Sequence, residues 1–148
     1  MTNAKGSTMK TREFLETLPD LVRQQVPPEL SDFQVARRFS SLIKLYFDRL
    51  AVHYEVHVQR TQQEVELGLH FESDPDSNFQ YLELMTQRTK DIKESLGADV
   101  EVEEWVRGWT RVHETVPLEP LDDDFLVEIS IKLSSMMRTL EPILRAGS

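Results

Sequence analysis

Two neighbouring stretches alternate strictly between apolar and polar residues. Across residues 53–59, Tyr54, Val56 and Val58 are separated by His53, Glu55, His57 and Gln59. Across residues 64–72, Val65, Leu67, Leu69 and Phe71 are separated by Glu64, Glu66, Gly68, His70 and Glu72. A period of two puts all the apolar side chains of a β-strand on one face and all the polar ones on the other. Only residues 60–63 lie between the stretches, so they pair as an antiparallel hairpin. A two-residue turn sets the register, with His57 opposite Glu66 and His53 opposite His70. The apolar face then needs a second layer, and helices on one side of the sheet supply it.

The flanking sequence provides those helices. Residues 11–25 carry Phe14, Leu15, Leu18, Leu21 and Val22 at helical spacing. Pro19 predicts a kink there, and Pro27-Pro28 an extended link. Ser31 with Gln34 has capping-box spacing, which predicts a second helix whose stripe runs from Val35 through Phe39, Leu42, Ile43, Tyr46 and Phe47 to Leu50. Residues 42–48 are also rich enough in branched and aromatic residues to be a strand. After Asp74-Pro75-Asp76, Ser77 with Gln80 predicts a long helix facing inward through Phe79, Leu82, Met85, Thr89, Ile92 and Leu96, stopped by Gly97. A second hairpin follows, residues 100–106 and 109–116, turning at Arg107-Gly108. Asp122 to Asp124 then open a final helix bearing Phe125, Ile129, Leu133, Met136, Met137, Leu140 and Ile143, with Pro142 disturbing its last turn.

The expected architecture is therefore α+β: N-terminal helices followed by two ββα units. The antiparallel sheet has four strands, or five if residues 42–48 join it, and long helices on one face. Residues 1–10 read as a flexible tail and residues 11–146 as one domain. The expected core includes Tyr54, Val56, Val58, Val65, Leu67, Leu69, Phe71, Leu82, Ile92, Ile129, Leu133 and Leu140.

Composition removes several classes of function. The 148 residues include no cysteine, which excludes disulfides, thiolate metal sites and a cysteine nucleophile. Twenty-six acidic residues against 17 basic give a net charge of −9. Such a surface disfavours nonspecific contact with nucleic acid or an anionic membrane. No signal-like or membrane-spanning run is present, so the expected location is cytoplasmic. There is no P-loop, Rossmann fingerprint or nucleophile elbow, and no particular cofactor is indicated.

Two groups of residues remain as candidates. All four histidines, His53, His57, His70 and His113, occupy polar strand positions. Strand residues rise about 3.3 Å each, so His53 and His57 lie about 13 Å apart and cannot share an ion. Residues directly opposite sit about 5 Å apart. The trio able to hold a metal is therefore His53, Glu55 and His70. The ordinary alternative is a solvated polar face. The second group is Trp105, Trp109 and Arg111 around the second hairpin. Trp105 is placed outward beside Arg111, as an anchor for a partner or a surface covered by the N-terminal segment or a second subunit.

Residues 54–144 resemble a small uncharacterised bacterial domain found alone or attached to restriction-endonuclease-like proteins. The resemblance rests on Leu69-His70-Phe71-Glu72 ending a strand, Lys93-Glu94-Ser95-Leu96-Gly97 ending a helix, and Glu103-Glu104-Trp105 in the next strand. It implies a ββαββα fold and carries no catalytic residue. In size, charge and element order the chain is also similar to type III secretion chaperones. The leading expectation is a non-enzymatic protein-interaction module, homodimeric or with a protein partner. The alternatives are a metal- or small-ligand-binding protein using the histidine face, and an accessory domain of a nucleic-acid-processing system.

Overall fold

The computed structural model describes residues 7–147, apart from the side chains of 37–39. Its order is α1 (Thr11–Gln25), a short 3₁₀ turn (Pro28–Leu30), β1 (Gln34–Phe39), β2 (Leu42–Tyr46), β3 (Val52–Gln59), β4 (Glu64–Phe71), α2 (Pro75–Thr86), α3 (Thr89–Leu96), β5 (Glu101–Val106), β6 (Trp109–Pro117) and α4 (Asp123–Ala146). The fold is α+β. The sheet has six antiparallel strands in the order β1-β2-β3-β4-β6-β5.

The central hairpin has the register expected from the alternation, with His53 opposite His70 and His57 opposite Glu66. Its turn closes through a Gln63 N–H to Arg60 carbonyl bond of 3.2 Å. The second hairpin turns at Arg107-Gly108, with Val106 opposite Trp109 and Gly108 at φ +79°.

Residues 31–50 do not form the expected second helix. They form the β1–β2 hairpin, and β2 pairs along β3 with Ile43 opposite Val56 and Leu45 opposite Tyr54. Pairing there satisfies the open edge of β3 and buries Ile43 and Leu45 in the core. The Ser31 hydroxyl donates instead to the Pro28 carbonyl at 2.8 Å, within the 3₁₀ turn, and Gln34 begins the strand. The sheet therefore has six strands rather than four or five.

The long helix expected after residue 77 is two helices. Asp74, not Ser77, is the N-cap of α2, its carboxylate accepting from the Ser77 N–H at 2.9 Å, with Pro75 in the first turn. The chain leaves helical geometry at Arg88 before α3 begins. Phe79 is 42% exposed and Leu82 only half-buried, whereas Met85 and Ile92 of the expected face are buried and Leu96 packs against the core. Asn78 turns inward, donating to the Ser73 and Gly108 carbonyls at 2.9 and 2.7 Å, while its own carbonyl accepts from Thr110. Those bonds tie α2 to the second hairpin. The other eleven expected core residues are buried.

Neither internal proline ends its helix. Pro19 is buried within α1, where packing of Phe14, Leu15, Leu18 and Val22 offsets the lost hydrogen bond. Pro142 lies inside α4, which continues to Ala146. Asp122 caps α4 through the Phe125 N–H at 2.9 Å. At the amino end, the Met9 N–H donates to the Leu121 carbonyl at 2.7 Å; residues 1–6 lie outside the described residues.

The core lies between the apolar sheet face and the helices, α1 packing chiefly on α4. The polar face is not a solvated surface. His53 is 1% and His70 0% exposed, and Lys44, Glu55, Glu66 and His113 are also buried. Gly68 explains part of this. A Cβ there would lie 2.4 Å from the Val112 carbonyl oxygen and 2.5 Å from the His113 Cβ, so β4 and β6 crowd together where only glycine fits.

Candidate metal centre

β3 and β4 carry the same short pattern. His53 and Glu55 are two apart on β3, and His70 and Glu72 are two apart on or just beyond β4. Because the strands run antiparallel with His53 opposite His70, the two His-x-Glu pairs face each other about a local two-fold. The His53 Nε2 lies 2.9 Å from Glu55 Oε1 and 3.9 Å from Glu72 Oε2. The His70 Nδ1 lies 3.2 Å from Glu72 Oε2 and 3.8 Å from Glu55 Oε1. One ligand atom from each residue can be chosen so that all four lie within 4.8 Å of one another. Ligand atoms about 2.0–2.2 Å from a tetrahedral ion are themselves about 3.4 Å apart, close to this spacing. The rings stack with centroids 5.5 Å apart.

The remaining ring nitrogens are anchored. His53 Nδ1 lies 2.8 Å from the Leu50 carbonyl oxygen, and His70 Nε2 lies 3.0 Å from Glu66 Oε2. This is the outer arrangement of a metal-bound histidine, in which the far N–H donates to a carbonyl or carboxylate and fixes the ring. Glu66 and His70 are four apart on one strand. In a straight strand they would be about 13 Å apart. They meet because their long side chains close over Gly68.

A second layer extends across β6 and β5. Lys44 Nζ lies 3.6 Å from Glu72 Oε1. Arg111 reaches Glu66 at 3.9 Å and Glu103 at 3.3 Å, and His113 Nε2 lies 2.7 Å from Glu103. Among the described residues the buried Arg111 Nε and His113 Nδ1 have no hydrogen-bond partner. Four carboxylates, Glu55, Glu66, Glu72 and Glu103, stand against one lysine and one arginine. With neutral imidazoles two negative charges remain, which a divalent cation balances.

The electrostatics follow. Burial opposes the charged form of His70, yet hydrogen bonds to Glu66 and Glu72 and the charges of Glu66 and Glu55 outweigh it and raise its pKa to about 9. Burial pushes the Glu55 and Glu72 carboxyls up, but the histidines, with Lys44, hold both below their ordinary value. For His113, burial and Arg111 together lower the pKa against the pull of Glu103.

The structure thus brings together His53, Glu55 and His70, and adds Glu72. The identical i, i+2 spacing on two antiparallel strands was a readable sign of Glu72. His57 stays apart from this group, its Nδ1 lying 3.3 Å from Gln59 Nε2.

Trp105, Trp109 and Arg111 also lie together. The Arg111 guanidinium sits 4.5 Å over the Trp105 ring, and the two indoles are 6.1 Å apart. Trp105 also packs edge-on to His70 at 5.6 Å. The tryptophans are 36% and 38% exposed. The described N-terminal residues pack against α4 and do not cover them. Among the described residues no helix is long and apolar enough to cross a membrane.

A comparison of the chain with protein-family models, curated proteins and solved structures finds no match. Function has to be read from the site itself.

Proposed function

We propose that this chain binds one divalent first-row transition-metal ion, zinc-like in its ligand preference, through His53, Glu55, His70 and Glu72. The observation that carries the reading is the hydrogen-bond direction at the two rings. A neutral imidazole has one N–H to give. Here His53 presents both nitrogens to acceptors, the Leu50 carbonyl and the Glu55 carboxylate. His70 does the same between Glu66 and Glu72. Each ring therefore requires either a second proton or a cation on its inner nitrogen. One ion between the four groups meets both needs at once and avoids two stacked imidazolium charges. Imidazole and carboxylate donors suit zinc, manganese, iron or cobalt. Four protein ligands make a closed set, which is the pattern of a structural or regulatory ion rather than a catalytic one with an open position.

Cobalt(II) is the direct probe, because a tetrahedral site gives it visible absorption. One equivalent should develop that spectrum at neutral pH, zinc should displace it, and the His70→Ala and Glu72→Gln variants should lose it. A chain that stays colourless and ignores added zinc contradicts the reading.

The protein-interaction reading rests on a separate observation. β5 is an outermost strand, and Trp105, Val106 and Trp109 stand exposed beside it. Glu101, Glu103 and Glu104 lie along that strand, and two copies paired edge to edge would oppose like charges. The partner this edge suits is a basic extended segment. Titration with a lysine-rich strand peptide should shift tryptophan fluorescence, and Trp105→Ser with Trp109→Ser should abolish binding. An unresponsive signal removes this reading.

A further inference from the structure

A cavity of about 400 Å³ opens on the opposite side of the sheet from the metal ligands, between the β2–β3 loop, α2 and the end of α4. Val52, Tyr54 and Leu69 line its sheet side, and Phe47, Tyr81 and Leu144 are among its other lining residues. Its size suits a small molecule. Glu141 is a lining residue, buried in the core layer, and the metal site makes no use of it.

The charges in this cavity are specific. Glu141 accepts from the Tyr54 hydroxyl at 3.0 Å and from Arg145 Nε at 3.0 Å. A carboxylate has about four lone-pair positions, so acceptor capacity remains. Burial, reinforced by Glu141, holds the Tyr54 pKa well above its ordinary value, so the hydroxyl stays a donor. Glu29, Asp32 and Asp48 also line the cavity and make no ion pair among the described residues. Both aromatic rings already carry a cation: the Arg145 guanidinium lies 4.9 Å from the Phe47 ring centre and the Arg49 guanidinium 6.0 Å from that of Tyr81. Both arginines are exposed and long enough to swing away.

We propose that this cavity binds a small organic cation, an ammonium or guanidinium head on an apolar stem. The head takes the remaining lone pairs of Glu141 and an aromatic face, and Arg145 is its internal competitor. An anionic ligand would meet four carboxylates against two arginines, so its binding would depend on those arginines. The two ligand classes therefore respond oppositely to one substitution.

The test is calorimetry of the purified chain, in its native metal state and at physiological salt, with spermidine and agmatine as cations and citrate as the anion. Saturable one-to-one binding of at least one cation is expected. Asp48→Asn and Phe47→Leu should each weaken it about two- to fivefold, and Arg145→Ala should tighten it. Arg49→Ala, at a more peripheral arginine, gives the same sign of effect if Arg145→Ala fails to fold. Absence of saturable heat with both cations, or citrate binding that disappears with Arg145→Ala or Arg49→Ala, overturns the proposal. Cation binding unchanged in Asp48→Asn and Phe47→Leu also overturns it, as nonspecific charge screening.

Discussion

Gly68→Ala adds one methyl group at the centre of the polar sheet face. That carbon would lie 2.4 Å from the Val112 carbonyl oxygen, 2.5 Å from His113 Cβ and 2.7 Å from His113 Cα. Two of these atoms are backbone, so no side-chain rotation relieves the clash and β6 must move off β4. Overpacking of this kind costs about 1–3 kcal/mol. Replacing glycine returns about 0.4–1 kcal/mol by restricting the unfolded chain. The backbone contacts favour the upper part of the range, for a net loss of about 2 kcal/mol. In a chain of this size that lowers Tm by about 4–8 °C. The same displacement parts Arg111 and His113 on β6 from Glu66, the acceptor behind His70, so cobalt affinity should fall as well. Thermal melting followed by circular dichroism, with a cobalt titration on the same sample, reads both effects. A variant that melts within about 1 °C of the parent and binds cobalt equally well refutes the crowding argument.

Other outcomes follow from the same geometry. Glu66→Gln leaves the four ligands in place but weakens the acceptor behind His70, so metal affinity should drop about 10–100-fold without loss of the site, as isothermal titration would show. Leu69→Ala removes a fully buried side chain on the core face and should cost about 2–5 kcal/mol in urea unfolding. In chelator-treated protein the His70 pKa is about 9 folded against 6.5 unfolded. A raised folded pKa means that this stabilisation is full below pH 6.5 and is lost as pH rises through 9. The metal-free melting temperature should therefore fall across that window, while metal affinity rises as protons leave the ligands. A metal-free stability that is flat or increasing between those pH values contradicts the His70 hydrogen-bond assignment.

What could be read in advance followed from locality. The β3–β4 hairpin needs only alternation and a four-residue connection, and its register sets His53 opposite His70. Placing Glu55 near them takes one further step of two residues. Glu72 obeys the same rule but sits just past β4, beside Asp74-Pro75, where turn chemistry draws the eye. Glu66 was hidden for a geometric reason, since a straight strand holds its Cα far from that of His70 and the two long side chains meet only by closing over Gly68. His113 and Glu103 depend on β6 pairing with β4 across the helices and strand of residues 72–108, which no local pattern encodes. The apolar stripe of residues 31–50 suits a helix as well as two strands; for residues 42–48 the strand alternative is the one β2 takes, and the open edge of β3 decides between them. Burial of the polar face was invisible for a related reason. Alternation separates two faces but does not say whether the polar one is closed over by its own side chains.

The account turns on whether an ion sits between His53 and His70. Native mass spectrometry of the protein purified without chelators measures it most directly, because it reports bound mass and stoichiometry together. One divalent metal ion per chain, absent from His70→Ala and removed by chelation with a fall in melting temperature at alkaline pH, is the predicted result. A chain of bare mass that takes up no zinc, manganese or cobalt would contradict it, and the four residues would then be a proton-bonded His–Glu network.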